Sequence, residues 1–429
     1  MSEKKPRELF KERVQRVNDT IVLKEPDRVP ITPMCHFYHT EQVGLSKKEA
    51  MYNPEKSAEA AIKVFKDTNW DQVPSPMAVF SGVLLDLLGT EFFKWPGASE
   101  EKQRLADHQP YQFVENEYMK PEEYEEYFAD PTGFLIRKLL PRHHKNLHGL
   151  SEFPNIFTLG NGYLSMMTMP VYMAMPPVQK TIKAWQDASK YFFSAIMANQ
   201  NYEKTMKKMG YPVGSVSLVQ APYDVVSEFF RGMQGTMLDM YRRPEKLKKL
   251  LDLQVQPAID SIVSLTQLSG GSKIIFIPLH RGADGFMSNE QFEEFYWPTL
   301  TRVMEGLIKN GLIPSPFFEG GYNERMDYLT EFAMKHKGKM IYWFDKTDII
   351  KGKEMFGDYV CIKGNVPASL LIAGTPSQVE EYVKKSIEGC KEGGGYIVEG
   401  GIAGIPDESR AENVKAMTDA VFKYGVYRK

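Results

Sequence analysis

His280 stands in the setting that most suggests chemistry. It ends the apolar run Lys273–His280 (KIIFIPLH) and opens His280-Arg281-Gly282-Ala283-Asp284-Gly285, whose two glycines permit close approach of a ligand or backbone. An imidazole placed there can act as an acid, a metal ligand or a substrate contact; its bland alternative is a buried ring bonded to a loop carbonyl. Glu319 follows Phe317-Phe318 and precedes Gly320-Gly321, so its carboxylate should emerge at a tight turn. Glu399, between Val398 and Gly400, is either a functional carboxylate or half of an internal salt bridge. His36 and His39 flank Phe37-Tyr38, and His36 and Tyr38 are read as lining a flat pocket for an aromatic ring. His144 and His148 form an i,i+4 pair able to hold a metal beside His143. Neighbouring Arg142 and Lys145 disfavour a further charge there, and the cluster reads as a solvated face.

These residues share a position relative to the elements around them. Eight apolar runs bounded by turn residues read as buried strands: Arg28–Phe37, Trp70–Met77, Val213–Ala221, Lys273–His280, Leu312–Glu319, Lys339–Asp345, Tyr359–Asn365 and Gly395–Glu399. Helical patterns separate them, opened by capping signals at Ser288/Gln291, Thr375/Gln378 and Ser409/Glu412. Continuously apolar strands each followed by an amphipathic helix need both sheet faces covered, which predicts an α/β fold with eight parallel units, a (β/α)8 TIM barrel. Chemistry in that fold sits at the carboxyl ends of the strands. The candidates are therefore His36, Tyr38, His280, Glu319, Tyr322, Asp345, Asn365 and Glu399, with Asp224 and Asp348 expected to be helix caps or turn formers. Asn365, before Val366-Pro367, is counted as a substrate contact, with bonding to its own loop as the alternative.

At 429 residues the chain exceeds one simple core, and we read it as a single barrel over 1–429 with a helical insertion, or cap, at 100–210. That insertion holds five methionines between Met166 and Met175, either an adaptable surface over a large ligand or partner, or core of the inserted subdomain. Basic and acidic residues number 53 and 55, with no charge blocks, which argues against nucleic acid as a partner. Cys35, Cys361 and Cys390 are too far apart for a CxxC site and suit a reducing compartment, with Cys361 read as a small core residue. No segment reads as a membrane span and MSEKKPRELFKERVQ has no apolar signal core, so the expected location is the cytoplasm. An oligomer is compatible with the sequence.

The C-terminal third, with Ile362-Lys363-Gly364-Asn365-Val366-Pro367, Gly374-Thr375-Pro376-Ser377-Gln378-Val379, Gly394 to Gly401 and Glu412 to Met417, resembles the uroporphyrinogen decarboxylase superfamily. Glu25-Pro26-Asp27-Arg28-Val29-Pro30 and the stretch from Ala221-Pro222-Tyr223 through Arg231-Gly232 to Tyr241–Glu245 are similar to its earlier segments. The resemblance implies the same barrel, and an acidic residue at Asp345. It departs from true decarboxylases at Phe80-Ser81-Gly82, where those carry an aspartate, and in having no arginine between Arg28 and Arg104. A tetrapyrrole bearing eight carboxylates needs such cations.

The departures make the chain more similar to the corrinoid-dependent methyltransferase branch. Members acting on coenzyme M hold zinc on a His-x-Cys pair and a later cysteine; the matching positions here are Phe317, Glu319 and the cysteine-free Gly400-Gly401-Ile402-Ala403. The resemblance therefore implies an enzyme of the substrate side, as in anaerobic O-demethylation. It would move a methyl group from a small methylated substrate, such as an aryl methyl ether, to cobalamin carried by a separate corrinoid protein. Departure of the leaving group would be eased by zinc on His280, Glu319 and Glu399, or by a general acid among His280, Glu319 and Asp345. The alternatives are a decarboxylase of this superfamily and a non-catalytic member that binds a corrinoid or its carrier.

Overall fold

A computed structural model describes residues 4–155, 160–214, 217–269 and 272–427. Five strands run parallel in chain order: Ile274–Leu279, Ile313–Phe318, Ile341–Phe344, Cys361–Lys363 and Tyr396–Ile397. Single bridges close the ring around three further staves. Val398 pairs with Ile31, the Asp71 N–H donates to the Ile31 carbonyl at 2.9 Å, Val73 pairs with Val213, and Leu218 returns to Phe276. All these contacts are parallel or follow the same order, so the eight predicted staves form the predicted barrel. Ser215 and Val216 of the third lie outside the described residues.

The alternation of the strands decides which side chains reach the barrel axis. In Ile274–Leu279, Ile275, Ile277 and Leu279 are fully buried against the outer helices. Ile274 and Phe276 face the axis, joined there by Ser315, Ile341, Trp343, Lys363 and Ile397 around a cavity of about 80 Å³. Two or four residues further along these strands, on the same alternation, come His280, Glu319, Asp345 and Glu399. At the opposite rim Asp71, wholly buried, accepts from Arg28 at 2.8 Å, from Arg16 and from the Ile31 N–H at 2.9 Å, tying the N-terminal helix Pro6–Ile21 to the first two staves.

The helix starts at Ser288 and Thr375 have the predicted reciprocal caps, and Asp348 caps Ile349–Phe356 by accepting from the Ile350 and Lys351 N–H groups. The last helix, Ala411–Tyr424, begins two residues beyond Ser409, whose buried hydroxyl has no partner among the described residues. Cys361 is buried core, as read.

The 100–210 stretch does not form one helical cap. A small sheet (Phe93–Pro96 with Arg104–Leu105 and Gln112–Phe113) and short helices up to Glu152 cover one side of the mouth. The 33-residue helix Pro176–Lys208 instead packs along the barrel wall through Val178, Thr181, Ala188, Ala198, Tyr202 and Met206, because its small residues let it lie close to Pro54–Phe65 and Gly82–Leu88. Residues 156–159 of the stretch lie outside the described residues. The helix Gly162–Ala174, carrying the methionine run, contains no buried residue, which excludes the core reading of that run. His143 and His144 also depart from the solvated-face expectation: both are half-buried against Phe92, and the His143 Nε2 meets the Phe229 carbonyl at 2.8 Å.

Candidate active site

The mouth is organised by the helix Pro222–Phe229, which starts directly after the third stave with proline in its first turn. Asp224 and Glu228 are four residues apart, so both carboxylates face the same side, toward the end of the fourth stave. Glu228 binds the Nδ1 of His280, and Asp224 Oδ2 accepts from the His280 backbone N–H at 3.1 Å and from the Tyr296 hydroxyl at 2.8 Å. The second oxygen of Asp224 is buried without a partner among the described residues. Asp224 is thus neither cap nor turn former, because the helix turns its face inward and buries the side chain completely.

These contacts set the charges. Burial alone would lower the His280 pKa, but the Glu228 bond and the fields of Glu228, Asp224 and Glu319 outweigh it and lift the imidazole to about 9. With Nδ1–H given to Glu228, an imidazolium keeps its Nε2–H for the mouth, where the nearest carboxylate oxygen, of Glu319, is 3.9 Å away. Desolvation raises Asp224 to about 7, the cation of His280 limiting the rise. Glu319, half-exposed, and Asp345 are also raised, in both cases by burial first. Asp345 accepts from the Gly320 N–H at 3.1 Å, which places it beside Glu319. Arg281 supplies the other cation; among the described residues its nearest carboxylate, Glu115, is 3.9 Å away and its Nε has no partner. Beneath His280, Tyr322 is fully buried, its hydroxyl where a Cβ on Gly282 would come within 2.6 Å, so only glycine fits that turn.

Of the residues singled out from the sequence, His280, Glu319, Asp345 and Tyr322 gather in one place, and four others do not join them. Glu399 is completely buried in an ion pair with Lys363 at 2.8 Å and accepts from the Met34 and Gly400 N–H groups, which uses its acceptor capacity inside the barrel. Asn365 braces its loop, donating to the Asp345 and Thr347 carbonyls at 2.9 and 2.8 Å and accepting from Tyr382. Tyr38 is buried core. His36 meets Tyr111 edge-on at 6.4 Å, part of an aromatic group with Phe80 and Phe93 on the far side of the mouth.

The zinc site expected on His280, Glu319 and Glu399 does not fit this arrangement. Glu399 is committed to Lys363, one imidazole nitrogen of His280 to Glu228, and no set of three His, Cys, Asp or Glu groups suited to a metal occurs among the described residues. Of the three expected ligands that leaves the His280 Nε2 and Glu319, short of the three protein ligands a catalytic zinc takes.

Glu228 and Tyr296 were missed. An Asp-x-x-x-Glu spacing behind Ala221-Pro222 was the available signal for Glu228; Tyr296, in the middle of a helix, gave none.

The sequence profile of the uroporphyrinogen decarboxylase (URO-D) family matches residues 174–424. A uroporphyrinogen decarboxylase of Pseudoalteromonas atlantica is 27% identical over 186 residues, 42% of this chain and 49% of that protein. One of Hydrogenovibrio crunogenus is 24% identical over 268 residues, 58% and 72% of the two chains. The chain thus spans about half the length of most of the curated relatives it matches. Among solved structures, a methyltransferase from Methanosarcina mazei superposes over 95% of this chain and 98% of its own with a TM-score of 0.62 at 17% identity, which shows a shared fold. No helix among the described residues is long and apolar enough to cross a membrane.

Proposed function

Because the chain belongs to the uroporphyrinogen decarboxylase family, we propose that it is a methyltransferase of that family, moving a methyl group from a small methylated substrate, such as an aryl methyl ether, to the cobalt of a separate corrinoid protein. One observation carries the reading: His280, fixed through Nδ1 by Glu228, turns its Nε2 to the mouth beside Glu319, and the carboxylates around it favour the protonated ring. When the methyl carbon–oxygen bond breaks, the carbon leaves without the bonding electrons and joins nucleophilic cobalt(I). The oxygen keeps those electrons and takes the Nε2 proton of His280. Glu228 then holds the neutral ring in the tautomer that reloads from solvent. Tyr322 and Gly282 shape the floor, and Glu319 and Asp345 border the leaving group.

The methyltransferase neighbour supports this reading at the level of fold, and the charge of the mouth supports it against decarboxylation. Four carboxyl groups, Asp224, Glu228, Glu319 and Asp345, surround two cations, His280 and Arg281, a poor cradle for a substrate with eight carboxylates. The test is incubation with a reduced corrinoid protein and methoxylated aromatics. Cobalt(I) absorbance should give way to that of methylcobalt(III), and His280→Gln should slow the change by about 10²–10⁴-fold, the usual worth of a general acid. Release of carbon dioxide from uroporphyrinogen, with no methyl transfer, would establish the decarboxylase instead. Corrinoid-protein binding without turnover would establish a non-catalytic member.

A further inference from the structure

The interior of this barrel is not filled. In a (β/α)8 barrel the side chains on the axis are ordinarily bulky and branched, and they meet as a packed core. Here the first, third and fifth staves bring Thr32, Gly214 and Ser315 to the axis beside Phe276 and Trp343, and these small residues leave the void of about 80 Å³. A single water needs about 10–15 Å³, so there is room for several.

The polar groups around the void are of two kinds. The charged ones are spent: the Lys363 ammonium meets Glu399 at 2.8 Å and the Thr32 carbonyl at 3.3 Å, and stands 4.1 Å from the centre of the Trp343 ring. The uncharged ones are spare. Thr32 and Ser315 are only 6% and 4% exposed, and neither hydroxyl, nor the Gln72 amide that lines the same void, has a hydrogen-bond partner among the described residues. Buried hydroxyls in that state cost stability until a water or a ligand bonds to them.

The void also leads to the mouth. From Thr32 and Gln72 it climbs along the first two staves past Met34, Pro74 and Ser75 to Ala78. Phe80, two residues on, meets Tyr111 at 5.0 Å, within the aromatic group that holds His36. Across the barrel, Trp343 lies two residues before Asp345, about 7 Å lower along the sixth stave.

We propose that the void is the inner end of the substrate pocket, where Ser315 and Thr32, with Gln72, select methyl donors whose far end carries an uncharged hydrogen-bonding group, a hydroxyl or a second ether oxygen. This rests on the methyl-transfer reading and adds the chemistry of the donor's other end. A carboxylate is excluded there, because the cation inside the barrel is already neutralised by Glu399 and a further charge would be buried without a partner. A wholly apolar end would strip the two hydroxyls of water and give no bond in return. Phe276 and Trp343 supply the apolar walls for a ring between the two ends.

Calorimetric titration of the full chain with para-methoxyphenol, anisole and para-methoxybenzoate, without any corrinoid protein, tests this. The phenol should bind most tightly, anisole about 10-fold or more weaker, and the benzoate weaker than either. Ser315→Ala/Thr32→Val nearly keeps the volume of the pocket, and should bring the phenol to within about threefold of anisole with the melting temperature no lower. In the unmodified protein, labelled at isoleucine methyls, nuclear Overhauser contacts should join the phenol ring to Ile341 or Ile397 inside the barrel. Equal binding of phenol and anisole, a preference for the benzoate, contacts to mouth residues alone, or no binding of any of the three would overturn the proposal. Phenol bound in the void with no cobalt methylated would overturn the proposed function and leave this assignment standing. Methyl transfer from all three donors at similar kcat/KM would do the reverse.

Discussion

Two buried polar groups lie a short way apart along the same barrel. Inside, Lys363 meets Glu399 at 2.8 Å and a carbonyl of the first stave at 3.3 Å, and Glu399 takes its remaining bonds from backbone N–H groups. The charges cancel and no acceptor is spare. At the mouth, Asp224, Glu228 and Glu319 crowd one imidazole, an oxygen of Asp224 stays unbonded, and both His280 and Asp224 are moved toward neutral or alkaline pH. The first group has nothing left to offer a ligand. The second holds a proton it can release, an imbalance expected of a reacting site.

The comparison can be broken first at the balanced pair. Lys363→Met should leave Glu399 charged and alone in the barrel, at a cost of about 3–5 kcal/mol in unfolding free energy, and adding Glu399→Gln should recover most of it. Denaturant melts of the single and double variants measure this. A single variant as stable as the wild type would make the pair dispensable to the fold and reopen a site role for Glu399.

That pair also shows where sequence reasoning stopped. Both residues lie within motifs quoted above, and Glu399 was correctly placed at the end of a stave. What identifies its partner is register: Lys363 lies opposite Ile397, two residues before Glu399, on the neighbouring stave. The apolar runs carry no register information. The fold was legible because all eight runs are apolar between turn residues, even where only one bridge forms, as at Val73 and Val213. At the mouth His280, Glu319 and Asp345 were legible by the two-residue step along their strands. Glu228 sits on a helix, where an acidic residue most often faces water, and only packing turns it inward.

A sharper test falls on the unbalanced group. Glu228→Gln should leave the barrel folded and remove the main support of the His280 proton. The alkaline limb of the methyl-transfer rate, expected near pH 9 in the wild type, should move to neutral pH or below, with a loss of about 10-fold or more at pH 8. The groups facing His280 are Glu228, Asp224, Glu319 and Arg281, so the limb should move less with Asp345→Asn, which acts through Glu319. A limb unmoved by Glu228→Gln would make that residue a packing partner only.

Stability should depend on pH through the same groups, with signs that can be worked out. The folded pKa of His280 lies above its unfolded value near 6.5, so its contribution is full below about pH 6.5 and is lost as pH rises through about 9. Asp224 is likewise raised, from 3.8 to about 7, so its contribution is full below about pH 3.8 and is lost as pH rises from there through about 7. Asp224→Asn should therefore flatten the fall in melting temperature between about pH 4 and 7, read by calorimetry across that range. A fall equally steep in the variant would show that Asp224 is already ionised below that window.

The smallest effect is expected at Asp348, a cap outside both groups. Its replacement by alanine should cost about 0.5–2 kcal/mol and leave the rate profile unchanged. A changed profile would extend the site past the sixth stave.

The central claim is the protonated state of His280, and nitrogen-detected NMR titration of its ring, assigned by comparison with His280→Gln, tests it most directly. The account predicts a transition near pH 9 in the wild type that falls toward 6.5 in Glu228→Gln. A wild-type ring that titrates at or below 6.5 would contradict it, since a neutral imidazole at the mouth has no proton to give the departing oxygen.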